Sequence, residues 1–382
     1  MANTLTGLIP TIYTALDTVS REMVGLIGAV SRNAEAERAA VGQQVTAPVV
    51  PQGQLEDIVP AANPPTSGSQ TIGTIGMTIS KSKAYPILWN GEEQLATGPN
   101  GVYNKILHDQ FEQGLRTFVN AIEGDVALEG KLGASRAYGT AGTAPFGTAG
   151  DFSDFAGPLR ILEENGAPKT DLQMGLGSGG WFNLRSKQSS LFKVNEAGSA
   201  AMLRDGLWDR IEGFAMRNSG QVATHTKGTG SGYLVNNASG YAVGATQIAV
   251  DTGTGTIVAG DVITFAGDTN KYVVATALTG GVVTIAAPGL RQAVADNAAI
   301  TVGNSYTANL AFARNALVLA TRLPALPKEG DSAADRTTIQ DPVSGLIFEV
   351  SLYKQYRQVR YEIGLAWGQK AVKSEHISLL IG

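Results

Sequence analysis

The chain contains no cysteine. Disulfides, thiolate metal sites and cysteine nucleophiles are excluded together, and stability must come from packing and assembly. Charge is sparse as well: Asp, Glu, Lys and Arg make up 16% of the residues, with a formal net charge of -4. Sequence-specific nucleic-acid binding normally leaves a basic footprint, and this balance supplies none. No apolar run approaches the roughly 20 residues that cross a bilayer, so no membrane partner is expected. Met1 to Pro10 holds no basic residue and the first arginine is Arg21, so the expectation is synthesis in a cytoplasm without a secretory signal.

Glycine, by contrast, is abundant, at 47 of 382 residues. That favours turns and close backbone contacts over helical bundles, and the length allows about two to three domains with real cores. The strongest periodic signal runs from Gly101 to Gly133. Tyr103, Leu107, Phe111, Leu115, Phe118, Ile122 and Val126 follow one another in steps of three or four, which predicts one long helix with a narrow apolar stripe. Asn100 is the expected N-cap. Lys105–Asp109 and Glu112–Arg116 are spaced to pair along the helix. Gly130 and Gly133 supply the stop, and Gly114 and Gly124 mark close backbone approach or bending.

Before this helix, Ile9, Ile12, Leu16, Val19, Met23, Leu26, Ile27 and Val30 share a helical face, with Arg32 to Arg38 as a charged continuation. Such a terminal helix needs a surface to lie against, in its own chain or a neighbour's. Val45, Ala47 and Val49 alternate, as do Ile75, Met77 and Ile79, which predicts two strands joined by a long Pro/Gly/Ser-rich connection. A two-stranded arm of this kind is marginal alone in water, and makes physical sense if another molecule covers it.

After the helix the pattern is mixed: a helix over Phe155 to Asn165, a strand over Leu172 to Leu176, a helical turn over Trp181 to Gln188. From Thr226 to Gly303 only seven of 78 residues are charged and 13 are glycine. Strands are expected at 247–250, 261–265, 271–276, 282–286 and 298–302, the spacing of a small β-barrel or sandwich. The mixed pattern resumes at Tyr306 to Leu323, so this segment reads as an insertion. A hairpin closes the chain, with Leu346, Phe348, Val350 and Leu352 buried against Val359, Tyr361, Ile363 and Leu365.

Candidates for chemistry are few. His108, His225 and His376 are scattered, with no carboxylate spacing that would gather a metal. Gly175-Leu176-Gly177-Ser178-Gly179-Gly180 lacks the lysine of a phosphate loop and reads as a turn. Glu56-Asp57, Glu92-Glu93 and Glu163-Glu164 are adjacent carboxylates that normally face solvent. Lys354, Arg357 and Arg360 read as ion pairs on an exposed hairpin. No catalytic, cofactor-binding or metal-ligating residue is assigned, no cofactor is expected, and the expectation is a protein that is not an enzyme.

The order of parts carries more. Gly7-Leu8-Ile9-Pro10 leads the first segment. Gly42-Gln43-Gln44-Val45-Thr46-Ala47-Pro48-Val49 opens the extended loop, and Met77-Thr78-Ile79-Ser80-Lys81-Ser82-Lys83 closes it before Trp89-Asn90-Gly91-Glu92-Glu93-Gln94. Arg204-Asp205-Gly206 and Ile211-Glu212-Gly213-Phe214 precede the insertion. Gly260-Asp261-Val262-Ile263-Thr264-Phe265-Ala266-Gly267 lies inside it, and Asn309-Leu310-Ala311-Phe312 follows it. In this order the chain resembles the major capsid (coat) proteins of tailed bacteriophages with the Hong Kong 97-like fold, and more narrowly the podovirus-type coat branch with an inserted β domain.

The resemblance implies an α+β fold divided into an N-terminal helical arm (1–42), an E-loop (43–92), a spine helix with peripheral domain (93–150), a peripheral/axial domain (151–225 and 304–382) and an inserted β domain (226–303). It implies self-assembly through pentamers and hexamers into an icosahedral shell around packaged double-stranded DNA, bound without sequence specificity. Scaffolding, portal and decoration proteins are the implied partners, with assembly in the host cytoplasm and a final place in the virion capsid. Some capsids of this fold cross-link an E-loop lysine to a neighbour's asparagine. Lys81 and Lys83 stand in the corresponding stretch, but their polar surroundings give no desolvation, so a non-covalent shell is expected. An encapsulin-like nanocompartment and a β-rich binding or adhesion module remain as alternative readings.

Overall fold

The computed structural model describes residues 8–49, 73–97, 102–188, 210–222 and 224–382. Asn100, Glu56-Asp57 and Arg204-Asp205-Gly206 lie outside the described residues. The expected long helix is Val102–Gly133, 32 residues, or about 48 Å at ~1.5 Å per residue. Leu107, Phe111, Leu115, Phe118, Ile122 and Val126 are buried along its stripe, with Tyr103 half-buried at one end.

The stripe lies on a six-stranded sheet. Its order is Ser31–Ala39, Leu317–Pro324, Gln358–Ala371, Ile347–Gln355 and Ala333–Gln340, with Lys81–Asn90 also paired to Gln358–Ala371. Alternation in the closing hairpin sends Phe348, Val350, Tyr361 and Ile363 towards the helix, while Gln358, Arg360 and Glu362 are only partly covered. Phe111 meets Tyr361 edge-on at 5.9 Å, and Phe118 meets Phe348 and Trp367 at 5.9 and 6.1 Å. The turn is two residues, Tyr356 and Arg357, between paired Gln355 and Gln358.

The helical glycines divide in role. A Cβ on Gly114 would come within 2.7 Å of the Tyr85 ring, so this glycine admits close packing. Gly124 has only Gln221 Oε1 at 4.0 Å, so the expected close approach is absent there. Gly130 and Gly133 do not stop the helix but form its last turn, where Leu310 and Ala371 press against them. The helix ends where Ser135 donates its N–H to Ile377 O (2.9 Å) and the chain enters the strand Arg136–Gly139.

That strand belongs to a thirteen-stranded sheet, in which Ile377–Ile381, Tyr306–Ala313, Leu172–Leu176 and Phe214–Asn218 follow in turn on one side. The helices Ser153–Glu164 and Ser178–Lys187 cover it through Phe155, Leu162, Trp181 and Leu184. On the other side Lys271–Thr279 pairs with Arg136–Gly139 and carries the strands of the insertion. Those strands are Gln247–Asp251, Val262–Phe265, Lys271–Thr279, Val282–Ile285 and Ile300–Val302, within a residue or a few of the expected limits. They enclose their own apolar cluster, including Ile248, Ile263, Phe265, Val274 and Val283. The ring of strands closes where Leu234 bridges Ala299, with Val235 and Ile300 N–H donating to Ala298 and Tyr233 O, and main-chain pairing at Lys271–Ala137 and Tyr272–Arg136 joins this barrel-like ring to the parent sheet.

Two expectations for the N-terminal segment are corrected or settled. The terminal helix, Ile9–Met23, lies on the long helix of its own chain, burying Ile12, Leu16 and Val19. At about 1.5–3 kcal/mol per fully buried aliphatic side chain, that contact contributes several kcal/mol before ordering costs. Arg32 to Arg38 do not continue a helix: Ser31–Ala39 is a strand, parallel to Leu317–Pro324. The chain turns at Gly25, where a Cβ would fall on the carbonyl of Asn218. The free edge of Leu317–Pro324 then takes up the backbone donors and acceptors of the following residues, a pairing that outweighs local charge spacing.

Candidate assembly surfaces

The arm expected from the alternating residues is present. Gln44–Val49 pairs with Gly73–Thr78 in antiparallel register, from Gln44 opposite Thr78 to Val49 opposite Gly73. It forms a sheet of two strands and pairs with no other strand among the described residues. A two-stranded ribbon is marginally stable at best by itself.

The root of this ribbon is packed firmly. Met77 and Ile79 are buried with Ala39, Ala320 and Ala366. A Cβ on Gly368 would fall onto the carbonyl oxygen of Thr78, so the arm crosses the sheet at a position open only to glycine. Ser80 N–H donates to Trp367 O at 3.0 Å. Lys81 Nζ reaches both carboxylate oxygens of Asp125 on the long helix, at 2.6 and 2.8 Å, and Trp367 Nε1 donates to the same carboxylate at 2.8 Å. Lys81 is thus an ion-pairing group whose partner comes from 44 residues away.

A second carboxylate of the long helix holds the N-terminal segment. Glu123 is 1% exposed. Its Oε1 accepts from the N–H groups of Gly25 (3.0 Å) and Ile27 (2.7 Å), and its Oε2 from Leu26 N–H (3.0 Å) and Ser219 Oγ (2.8 Å). These are the free donors at the start of the short helix Leu26–Ala29, so Glu123 caps it from another element. Burial pushes the Glu123 carboxyl above its ordinary value, and the four hydrogen bonds oppose that rise.

The insertion joins the body at a buried polar neck. His225 pairs in register with Tyr306, the two residues at which the chain enters and leaves the insertion. His225 Nε2 lies 2.9 Å from Asp261 Oδ1, and its Nδ1 lies 3.3 Å from Lys131 Nζ at the end of the long helix. Asp261 also accepts from Gly228 and Val258 N–H (3.0 and 2.8 Å), so it acts as an acceptor throughout. The network therefore assigns the ring proton to Nε2, leaving Nδ1 to accept from the lysine. Burial lowers the Lys131 pKa, with the Asp261 charge opposing it.

The remaining sequence candidates are structural. Gly177 links the strand Leu172–Leu176 to the helix Ser178–Lys187, and its N–H is taken by Asn309 Oδ1 at 2.8 Å. Glu93 completes a capping box with Asn90, Glu163 pairs with Lys169 (2.6 Å) and Glu164 pairs with the buried Arg136 (2.7 Å). Arg360 pairs with Glu362 at 2.5 Å, while Arg357 lies in the exposed turn and Lys354 is exposed just before it. His376 is buried and its pKa is lowered by that burial. His108, Asp109 and Glu112 come together on the long helix, but Glu112 is already paired with Arg116 at 2.7 Å. A polar groove of about 880 Å³ runs beside Thr140, Asp154 and Lys187; its buried Arg136 is committed to Glu164 and Asn270, and its Lys271 to the Gly139 carbonyl. Large apolar side chains are exposed at one end of the six-stranded sheet, where Tyr356 is 89% and Leu95 83% exposed.

No family model matches the chain, and no curated protein matches it. Its structural neighbours are phage capsid structures and related particles. The capsid structure of cyanophage P-SCSP1u aligns with a TM-score of 0.47 at 8% identity, over 92% of this chain and 86% of that one. A structure from Mycobacterium phage Che8 aligns at 0.44 and 13% identity, over 90% and 88%. The virus-like particle of Pyrococcus furiosus aligns at 0.43 and 8% identity, over 97% and 98%. These are likenesses in chain course at low identity, and function has to be argued from the subunit itself.

Proposed function

We propose that the chain is the major capsid protein of a tailed bacteriophage, built on the Hong Kong 97-like fold. In this reading residues 1–42 are the N-terminal arm, 43–92 the E-loop, 93–150 the spine helix and peripheral domain, 151–225 with 304–382 the peripheral/axial domain, and 226–303 the inserted β domain. The subunits form pentamers and hexamers, and these close into an icosahedral shell around double-stranded DNA, with scaffolding, portal and decoration proteins as partners. The role is structural rather than enzymatic, with assembly in the host cytoplasm.

The observation that carries the reading is the two-stranded ribbon, anchored firmly at its root and paired along neither outer edge among the described residues. Main-chain groups along the outer edges and the half-buried Ile75 find no strand to cover them among the described residues. A neighbouring copy supplies it in a shell. The exposed Tyr356 and Leu95 fit the same reading, as apolar groups kept for contact between copies.

Expression of the full chain, with and without a co-expressed scaffold, followed by sedimentation and electron microscopy, tests this. Closed shells are expected. Stable monomers under both conditions would overturn the reading, and shells that hold protein cargo instead of DNA would move it to a nanocompartment.

A further inference from the structure

Resting on the reading that the arm reaches a neighbouring subunit, we propose that Asp125 is the positioning residue that sets the direction in which the arm leaves the body. The two strands of the arm are tied to each other at its base, by Gly42 N–H to Ile79 O and Ile79 N–H to Gln43 O, both 2.9 Å. Those bonds hold the ribbon together, while Ser80 N–H to Trp367 O and Lys370 Nζ to Gly76 O, both 3.0 Å, attach its returning side to the sheet. Packing of Met77 and Ile79 on three alanines keeps the root in place but, like all apolar contact, is non-directional.

Direction comes from the returning strand. Lys81 is its first residue and stands opposite Trp367 in the sheet register. The two side chains converge on one carboxylate, Lys81 on both oxygens of Asp125 and Trp367 Nε1 on Oδ2. Trp367 is fully buried, and the Asp125 side chain is 13% exposed. The acceptor is carried on the long helix between buried Ile122 and Val126, so it cannot follow a movement of the arm. Two oxygens thereby join three elements: the helix, the centre of the sheet and the strand that continues directly from the arm. Charge-assisted bonds of this kind carry geometric specificity as well as energy.

The stereochemistry distinguishes substitutions. An asparagine oxygen at the Oδ2 position could still accept from both donors, but D125N removes the charge and sets an amide NH2, a donor, against the Lys81 ammonium where Oδ1 now accepts its shorter bond. K81M removes the tie to the arm and leaves the tie to the sheet. The same geometry keeps the Lys81 amine paired inside its own subunit.

The natural chain has no cysteine, so Thr46→Cys on the arm and Lys105→Cys on the long helix, both exposed, are the only thiols for spin labels. Double electron–electron resonance on unassembled full-length subunits reads the arm's direction, and particle yield reads its consequence. In the labelled background a single narrow distance distribution is expected. D125N and K81M are expected to broaden it about twofold and to lower shell yield about tenfold, while far-ultraviolet circular dichroism stays unchanged, because lost alignment rather than lost folding is the effect. An unchanged distribution in both variants would overturn the proposal. Should the background give a narrow distribution but no shells, the assembly reading fails, and the response of the distribution to D125N and K81M still decides the role of Asp125.

Discussion

Replacing Glu123 by alanine removes the acceptor for four buried donors, the N–H groups of Gly25, Leu26 and Ile27 and the Ser219 hydroxyl. A buried donor left unsatisfied costs about 1–3 kcal/mol. Four of them set a ceiling of about 12 kcal/mol. Two effects reduce it. Water entering the space left by the side chain re-satisfies the hydroxyl and the nearer N–H groups, and a buried charge is removed that pairs with no cation among the described residues. The expected net loss is about 3 kcal/mol, which falls on the contact between the N-terminal segment and the long helix. Hydrogen exchange in the full-length subunit measures it. Amides of residues 9–29 should exchange about 150-fold faster in E123A, since about 1.4 kcal/mol is a factor of ten, while those of 306–313 are unaffected. In E123Q the remaining oxygen still accepts from Gly25 and Ile27, and Ser219 can rotate to accept, but Leu26 N–H meets an amide nitrogen. One lost bond predicts roughly a tenfold acceleration. Protection in E123A within about threefold of the parent, or E123Q as damaging as E123A, would refute the clasp.

Other expectations follow from single contacts. Gly114→Val places a branched side chain where Cβ alone would be 2.7 Å from Tyr85 and 3.0 Å from Ile363, and should cost about 1–3 kcal/mol by overpacking, read as a lowered urea midpoint. Gly124→Val, where a Cβ meets only Gln221 Oε1 at 4.0 Å, should be neutral or stabilising by a few tenths of a kcal/mol, because valine outranks glycine in a helix. His376 is held neutral by burial, with a folded-state pKa below the ordinary 6.5, so the unfolded chain binds the extra proton first. Its contribution to stability is therefore full above the ordinary value and is lost as pH falls towards the folded one, at up to about 1.4 kcal/mol per pH unit. His376→Gln should flatten that part of the pH–stability profile, and an unchanged slope would contradict the assignment. Because Lys81 is paired within its own subunit, particles boiled in detergent should run as a single band near 39.7 kDa, and a ladder of covalent multimers would contradict this.

The parts of the fold legible in the sequence are those specified locally. A stripe at helical spacing located the long helix to within a residue, and alternation bounded by glycine located the ribbon, the closing hairpin and the strands of the insertion. Ser31–Ala39 was not legible, because its charges lie at spacings that suit either state and its partner, Leu317–Pro324, is remote in the chain. The key side chains were hidden for the same reason. Asp125 and Glu123 look like solvated helix charges until their partners at 81, 367, 25–27 and 219 are placed. Glu123 did leave a trace: it stands four residues after Val119 and three before Val126, inside the buried sector rather than opposite it. The neck left none, since nothing local to His225 points to Lys131 or Asp261.

The central claim is that the ribbon is completed by another copy of the chain. Electron cryomicroscopy of particles from cells expressing the full sequence measures this directly. The account predicts closed shells of pentamers and hexamers in which strands 44–49 and 73–78 of each subunit lie against a neighbour. Particles in which the ribbon folds back on its own subunit, or preparations holding only monomers, would contradict it.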